Sequence, residues 1–395
     1  MQVKDSKIPL KHEVRPYFQP ILSLQNQEIV GYETLGRRMR QGGIESLGPF
    51  FKDPDISEDT HLLIDRYLRE YAIEQIAASD DECSLFINLK PSWIYRTYKR
   101  SNMLPTIELL RKYNINPARI VIEITEEEFT GKLQELTQIV ELYRKFGCTI
   151  AIDDVGSGFS NFDRIASLQP KILKIDLNIL KKGATHAGYK ALMQSFSILA
   201  AQMGASLLVE GVETKQELQS ALQVGARYVQ GYLFSKAEAE LQDRDAFKAM
   251  LQAEMNLFSQ KEFQRYSRLF TISDCLNPLL NAAVSIQNAE DADHVIEQAI
   301  GTVSDNCIRM YICREDGSQL SSNYTRFEAA WRKDERFRGA NWIWRPHFVS
   351  NILTMNLQKQ GILSQVYTDL DTSCQIQTYS CAIGEGCYLF LDLTL

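Results

Sequence analysis

The chain lacks the features that would carry it into or across a membrane. No run of about 18 apolar residues is available to span a bilayer, and the opening MQVKDSKIPLKHE has no apolar core of the kind a secretory signal needs. The expectation is a cytoplasmic protein. CxxC pairs are also missing. The eight cysteines are scattered, six of them beyond residue 270, which points away from a zinc site or a disulfide framework and toward reduced, mostly buried thiols. Positive charge is in deficit as well: the net charge of -7 argues against a nucleic-acid groove, so any anionic ligand would need cations gathered locally. Internal repeats and low-complexity segments do not stand out. What is present is an ordinary globular composition, 45% hydrophobic and 24% charged, in 395 residues, which is more than one core usually serves. Two domains are expected.

Residues 14 to 38 read as a β-hairpin, with VRPYFQPILSL and EIVGYETLGR flanking the turn residues Gln25 to Gln27. The pattern then changes to alternating units. Helical spacing near 60–79, near 103–113 and in LQELTQIVELYRKFG precedes SLFIN, RIVIEIT and TIAIDD. ILKID, the helix around KALMQSFSILAAQMG, SLLVEGVE, KQELQSALQVG and YVQGYLF follow. A barrel of eight β/α units typically takes about 250 residues, and the opening hairpin implies a modified (β/α)8 barrel with one antiparallel strand. The proline- and glycine-free stretch that follows predicts a long connecting helix, and the remainder reads as a small α+β domain with an Asp-Gly hairpin in RMYICREDGSQLSS. The expected division is 1–250 for the barrel, 251–279 for the helix and 280–395 for the second domain.

Six of the β-like runs end in an acid, an amide or a lysine: Asn88, Glu123, Asp153 with Asp154, Lys174, Glu210 and Gln230. Parallel barrel strands bring their carboxyl ends to one face, where such enzymes keep their active sites. Several carboxylates gathered there repel one another unless they hold protons or share cations, and an all-oxygen set without cysteine or histidine selects Mg²⁺ or Mn²⁺ over zinc. Two-metal phosphodiester hydrolysis places ions about 3.5–4 Å apart, commonly over one bridging carboxylate. The adjacent Asp153 and Asp154 suit that bridge, because the Gly-Ser-Gly loop after Val155 lets both turn inward. Glu33 would join Asn88 and Glu123 in one shell. Lys174 would polarise water, and Glu210 would bind metal and help deprotonate it. Taken singly, each acid has a plainer role as a helix cap, and Lys174 could pair with Asp176 or Asp154.

These motifs resemble the EAL family of cyclic di-GMP phosphodiesterases over residues 14 to 237. The signature glutamate lies in YETLGR as Glu33, and the family's NLSP is Asn88-Leu89-Lys90-Pro91. ELTE appears as Glu123-Ile124-Thr125-Glu126, DDFGTGYS as Asp153-Asp154-Val155-Gly156-Ser157-Gly158-Phe159-Ser160, and LKID, EGVE and QGYLFSK are intact. The resemblance implies that Glu33, Asn88, Glu123 and Asp153 hold one ion, and that Asp153, Asp154 and Glu210 hold the second. It also implies that Lys174 and Gln230 complete the site, and that Gln19, Leu35 and Arg37 contact substrate. The product would be linear pGpG and the protein a homodimer, with Glu126 holding the loop that couples dimerisation to metal placement. Thr34 stands where the family name has alanine, and Val155, Ser157 and Phe159 alter the loop after the aspartates.

SLGPFF, RMYIC and NWIWRPHF resemble YkuI-type proteins, which join an EAL barrel to a PAS-like domain. That group includes ligand-binding proteins with a degenerate metal site. The resemblance therefore implies either hydrolysis regulated by the second domain or a cyclic di-GMP receptor that signals through it. Resemblance to PAS and Cache sensors further implies Arg345, Tyr367 and Asp369 as contacts for a small ligand. Alternatively, Trp342, Trp344, Arg345 and Phe348 form only a packed aromatic cluster with a stacked guanidinium.

Overall fold

Eight strands of the first compact unit, Met1–Phe258, close into a barrel. The computed structural model describes residues 7–40, 42–79, 82–125, 131–155, 162–176, 178–179, 181, 187–281, 285–328, 330–345, 348–358, 360–364, 366–384 and 386–394. The barrel strands are β1 (Val14–Ser23), β2 (Glu28–Arg40), β4 (Ser84–Leu89), β5 (Ile120–Ile124), β6 (Thr149–Ile152), β7 (Ile172–Asp176), β8 (Ser206–Glu210) and β9 (Tyr228–Val229). A short β3 (Gly43–Ser46) pairs only with the far end of β2. Neighbours from β2 round to β9 are parallel, whereas β1 runs antiparallel to both β2 and β9 and closes the ring. This is the modified barrel that the alternating pattern predicts.

The opening hairpin turns where expected. The Ser23 hydroxyl accepts from the Asn26 N–H at 3.1 Å, and Gln27 takes the left-handed conformation at φ 60°. Helices cover the outside, and their ends follow local chemistry. Glu58–Ala78 starts at Ser57, whose side chain accepts from the Thr60 N–H. Lys215–Gln223 starts in a Thr214/Glu217 capping box, and Leu133–Phe146 stops at Gly147, with φ 111°. Outward-facing residues such as Ile122, Leu173 and Val209 join helix residues such as Ile73 and Leu136 in the main core. Inside the barrel a second, smaller apolar layer is made by Ile21, Phe86, Val121, Ala151, Ile172 and Leu208. Gly31 permits that layer, because a Cβ there would lie 2.7 Å from the Phe86 ring.

The helix Lys248–Asn281 spans the boundary to the second unit, Ser259–Leu395. That unit is an antiparallel sheet in the order β12-β11-β10-β16-β15-β13, with β14 (Tyr367–Thr368) beside β15. Its long central strands are β10 (Cys307–Arg314), β15 (Gln375–Gly384) and β16 (Cys387–Thr394), flanked by β11 (Asn323–Phe327), β12 (Ala330–Asp334) and β13 (Ile362–Leu363). Strand alternation gives the sheet two packed faces. Met310, Ile312, Leu389 and Leu391 pack with Ala292 and Ile296 of the helix Ala289–Ala299. Tyr311, Cys313, Tyr388 and Phe390 pack with Phe348, Ile352 and Met355 of the helix Phe348–Gln358. No helix among the described residues is long and apolar enough to cross a membrane.

Candidate active site

Side chains on a strand return to the same face every second residue, so the residue two positions beyond each apolar lumen residue also points inward. Phe86 leads to Asn88, Val121 to Glu123, Ala151 to Asp153, Ile172 to Lys174 and Leu208 to Glu210. Gly31 leads in the same way to Glu33. On β1 the direction reverses, and Ile21 leads back to Gln19, which stands opposite Glu33 in the strand register. Gln230, just past β9, closes the circle. The apolar floor of the lumen thus carries a polar storey above it.

Lys174 stands at the centre of that storey, fully buried. Its ammonium lies 2.7 Å from Glu123, 3.2 Å from Asp153, 3.3 Å from Glu210 and 3.5 Å from Glu33. Lys174 therefore pairs with the strand-end acids; the Asp176 carboxylate instead accepts from the backbone and side chain of Asn178. The amides arrange the rim. Asn88 Nδ2 donates to Glu33 Oε1 at 2.7 Å, and Gln230 Nε2 donates to Glu33 Oε2 at 2.8 Å and to Gln19 Oε1 at 3.2 Å. Gln19 in turn donates to the Ser235 carbonyl.

Burial pushes the Glu123 and Glu210 carboxyls well above the usual carboxylate range, with the Lys174 charge opposing the shift and the neighbouring acids adding to it. Burial by itself would lower Lys174, but the four surrounding carboxylates prevail and hold its proton more firmly than usual. Asp154 follows Asp153 with a left-handed backbone, φ 53°, a conformation aspartate tolerates better than most side chains. Val155 then packs fully buried in the main core, and its N–H bonds the Lys174 carbonyl at 2.9 Å. Glu126 and the loop residues 156–160 lie outside the described residues.

The donor set suits hard divalent ions. Both Glu123 oxygens and Glu210 Oε1 are buried without a hydrogen-bond partner among the described residues, and one ammonium faces four carboxylates. Among the described residues no three acids already stand at the separations of a closed metal shell; the Lys174 ammonium lies between them. Beside this storey opens a cleft of about 230 Å³. Leu35 and Arg37, both expected to meet substrate, line it, and Asn88 is shared with the polar cluster. Lys90 and Trp93 also line it, and Lys90 lies 4.6 Å from the Trp93 ring. Sequence reasoning missed both as site residues, although Lys90 sits inside the NLKP segment and its charge was a usable signal.

In the second unit Arg345 and Tyr367 come together, Nη1 donating to the tyrosine hydroxyl at 3.2 Å. Asp369 does not join them. Its carboxylate receives two bonds from Arg309, at 2.8 and 3.0 Å.

Residues 6–237 match the EAL domain family and residues 241–395 match an EAL-domain associated signalling protein domain, so the chain belongs to the EAL family. It is 34% identical over 387 residues to the uncharacterized EAL-domain containing protein YkuI of Bacillus subtilis, covering 96% of this chain and 94% of that one. The crystal structure of B. subtilis YkuI, in complex with substrate c-di-GMP and calcium, superposes with a TM-score of 0.86 at 33% identity over 98% of this chain and 97% of that chain. Over 227 residues the chain is 31% identical to the probable cyclic di-GMP phosphodiesterase PdeA of Escherichia coli, covering 56% of this chain and 30% of that protein.

Proposed function

We propose that the barrel hydrolyses cyclic di-GMP to linear pGpG. The observation that carries this reading is the excess of buried carboxylate oxygens around Lys174, beside a cleft lined by Arg37 and Lys90. In this reading Glu33, Asn88, Glu123, Asp153, Asp154 and Glu210 would hold two ions of the Mg²⁺ or Mn²⁺ class. Such ions, when bound, supply Lewis acidity at the phosphodiester and offset the acids' mutual repulsion.

The protein's own groups do the rest. The Arg37 guanidinium offers a fork to a phosphate oxygen pair, and Leu35 gives the nucleotide an apolar edge. Gln230 and Gln19 keep Glu33 oriented through the hydrogen bonds described above. Lys174, held protonated by its four acids, donates to the attacking water and orients it. The Glu210 carboxylate accepts the proton as the water oxygen bonds to phosphorus and one phosphorus–oxygen ester bond breaks, the departing ribose 3′ oxygen taking its proton from solvent water. We further propose that the enzyme works as a homodimer and that the second unit regulates it.

The alternative is a receptor that binds the dinucleotide without turnover. It is favoured by the placement of Lys174 between the acids and by Thr34 in the family's name-giving motif. Incubation of purified protein with cyclic di-GMP and Mn²⁺, followed by chromatography of the products, separates the two. Metal-dependent pGpG that disappears in Glu33→Ala supports the hydrolase; tight binding with no product supports the receptor and ends the hydrolase reading.

A further inference from the structure

The second unit contains a cavity of about 620 Å³ on the sheet side that packs the helix Phe348–Gln358. That volume lies in the range of roughly 300–1,000 Å³ typical of small-molecule sites. Its walls include Trp344, Arg345, Asn351, Leu363, Tyr367 and Leu370, with no acidic side chain among the described lining residues. Two polar groups in these walls have unused hydrogen-bonding capacity. Asn351 is only 9% exposed, yet its side-chain nitrogen has no acceptor among the described residues. Arg345 makes no ion pair among the described residues, and its one side-chain bond goes to the Tyr367 hydroxyl.

The guanidinium of Arg345 is nevertheless held firmly. Its carbon lies 4.6 Å from the Trp342 ring centroid, 5.8 Å from that of Trp344 and 5.7 Å from that of Tyr367. Trp342 is anchored in turn, its indole N–H donating to Gln319 at 2.8 Å. Nearby acids are already engaged. Asp392 accepts from Thr378 at 2.6 Å and from Arg309 at 3.0 Å, and Asp369 takes the paired bonds from Arg309. The cavity therefore combines a preorganised cation, an apolar and aromatic wall and a spare amide donor.

We propose that this cavity binds a small organic acid with an apolar or aromatic body. The carboxylate forks onto Arg345, the body lies against Trp344, Leu363 and Leu370, and a polar substituent accepts from Asn351. The site stands independently of the barrel's chemistry. Inorganic phosphate shares the charge but lacks the body, and so separates the two parts of the claim.

Isothermal titration of the full-length chain with 4-hydroxybenzoate, indole-3-acetate, acetate, phosphate and benzylamine tests it. The two aromatic acids should bind saturably and at least about tenfold more tightly than acetate or phosphate, since only they bury apolar surface. Benzylamine, with the opposite charge, should not bind. Arg345→Gln keeps a planar group against Trp342 while removing the charge; a folded R345Q protein, verified by circular dichroism, should lose binding. Asn351→Leu should weaken the hydroxylated acid by about threefold to tenfold while leaving the overall fold intact. The proposal is overturned if no acid binds below about 10 mM, if R345Q binds as tightly as the unaltered protein, or if phosphate binds as tightly as the aromatic acids.

Discussion

Two buried cations organise this molecule, and their surroundings differ in kind. Arg309 in the second unit makes directed bonds to Asp369 at 2.8 and 3.0 Å, to Asp392 at 3.0 Å and to Asp371 at 3.0 Å. Lys174 in the barrel lies as close to its acids, but neither its ammonium nor the oxygens of Glu123 reach hydrogen-bonding geometry. In the first cluster every carboxylate accepts a hydrogen bond from the protein itself, and only Arg309 Nε is left without an acceptor among the described residues. The second leaves oxygen donors over, which costs folding free energy and becomes useful only when something from outside supplies more positive charge. A satisfied network of this kind supports the fold; an unsatisfied one in a cleft points to function.

The comparison is most strongly tested at Lys174. Lys174→Met leaves four carboxylates without an internal cation, so in the presence of chelator the barrel should lose about 3–5 kcal/mol. Added Mn²⁺ should then raise the melting temperature of K174M more than that of the unaltered protein. Turnover should drop by about a thousandfold, as expected for loss of a group that acts in the transition state. Equal Mn²⁺-induced shifts in the two proteins would show that the ammonium and the ions do not share one set of acids.

Arg309→Met should cost a similar 3–5 kcal/mol, by stranding Asp369 and Asp392 in the interior. Here Mn²⁺ should recover nothing. Denaturant unfolding of the variant with and without the ion distinguishes a closed network from an open one.

Acid should also separate the clusters, with a smaller effect. Burial would raise Asp369, but the hydrogen bonds from Arg309 and Thr372 outweigh it and bring its carboxyl down to about 2. A carboxyl depressed in the native state stabilises above its unfolded value near 3.8, and that contribution is lost as pH falls toward 2. The contribution of Asp369 to the second unit should therefore be lost between those two values, opposed by Asp392, whose carboxyl burial raises in the same cluster. Glu123 is shifted the other way, so its native state binds a proton more readily than the unfolded chain does. The chelated barrel should gain stability on mild acidification. Melting temperatures of the chelated protein across an acid pH series, read separately for each unit, check both signs.

The smallest effect is expected at Lys90, which sits in the cleft over Trp93 and donates to the Phe51 carbonyl at 3.3 Å. Lys90→Ala should raise KM for cyclic di-GMP about threefold to tenfold at low salt and less at high salt, with kcat little changed. Steady-state kinetics at two ionic strengths measures it.

Much of the barrel site was legible along the chain because strand periodicity is local. A polar residue that ends an apolar run lies at the carboxyl-terminal mouth of a parallel barrel, which is how Asn88, Glu123, Asp153, Lys174 and Glu210 could be named together. Lys90 and Trp93 were not legible as cleft residues, because they belong to the segment after β4 and meet Leu35 and Arg37 only once β2 and β4 pair. The second unit was less readable still. Arg309 finds its acids 60 and 83 positions away, across strands whose register no local pattern reveals. Asp369 looked available for a ligand until that pairing was seen, and Asn351, within an ordinary helical stretch, gave no hint of facing a cavity.

The sequence by itself determined the alternation of strands and helices, the antiparallel first hairpin and which side chains would crowd the barrel mouth, since all three follow from spacing over a few residues. Only the tertiary structure decided that Lys174 would stand among four acids and not beside Asp176, that Arg309 would claim Asp369, and that Arg345 would be left facing a cavity. Those outcomes depend on distances between segments far apart in the chain, which are set by barrel closure and sheet register and by nothing local to any one of the residues.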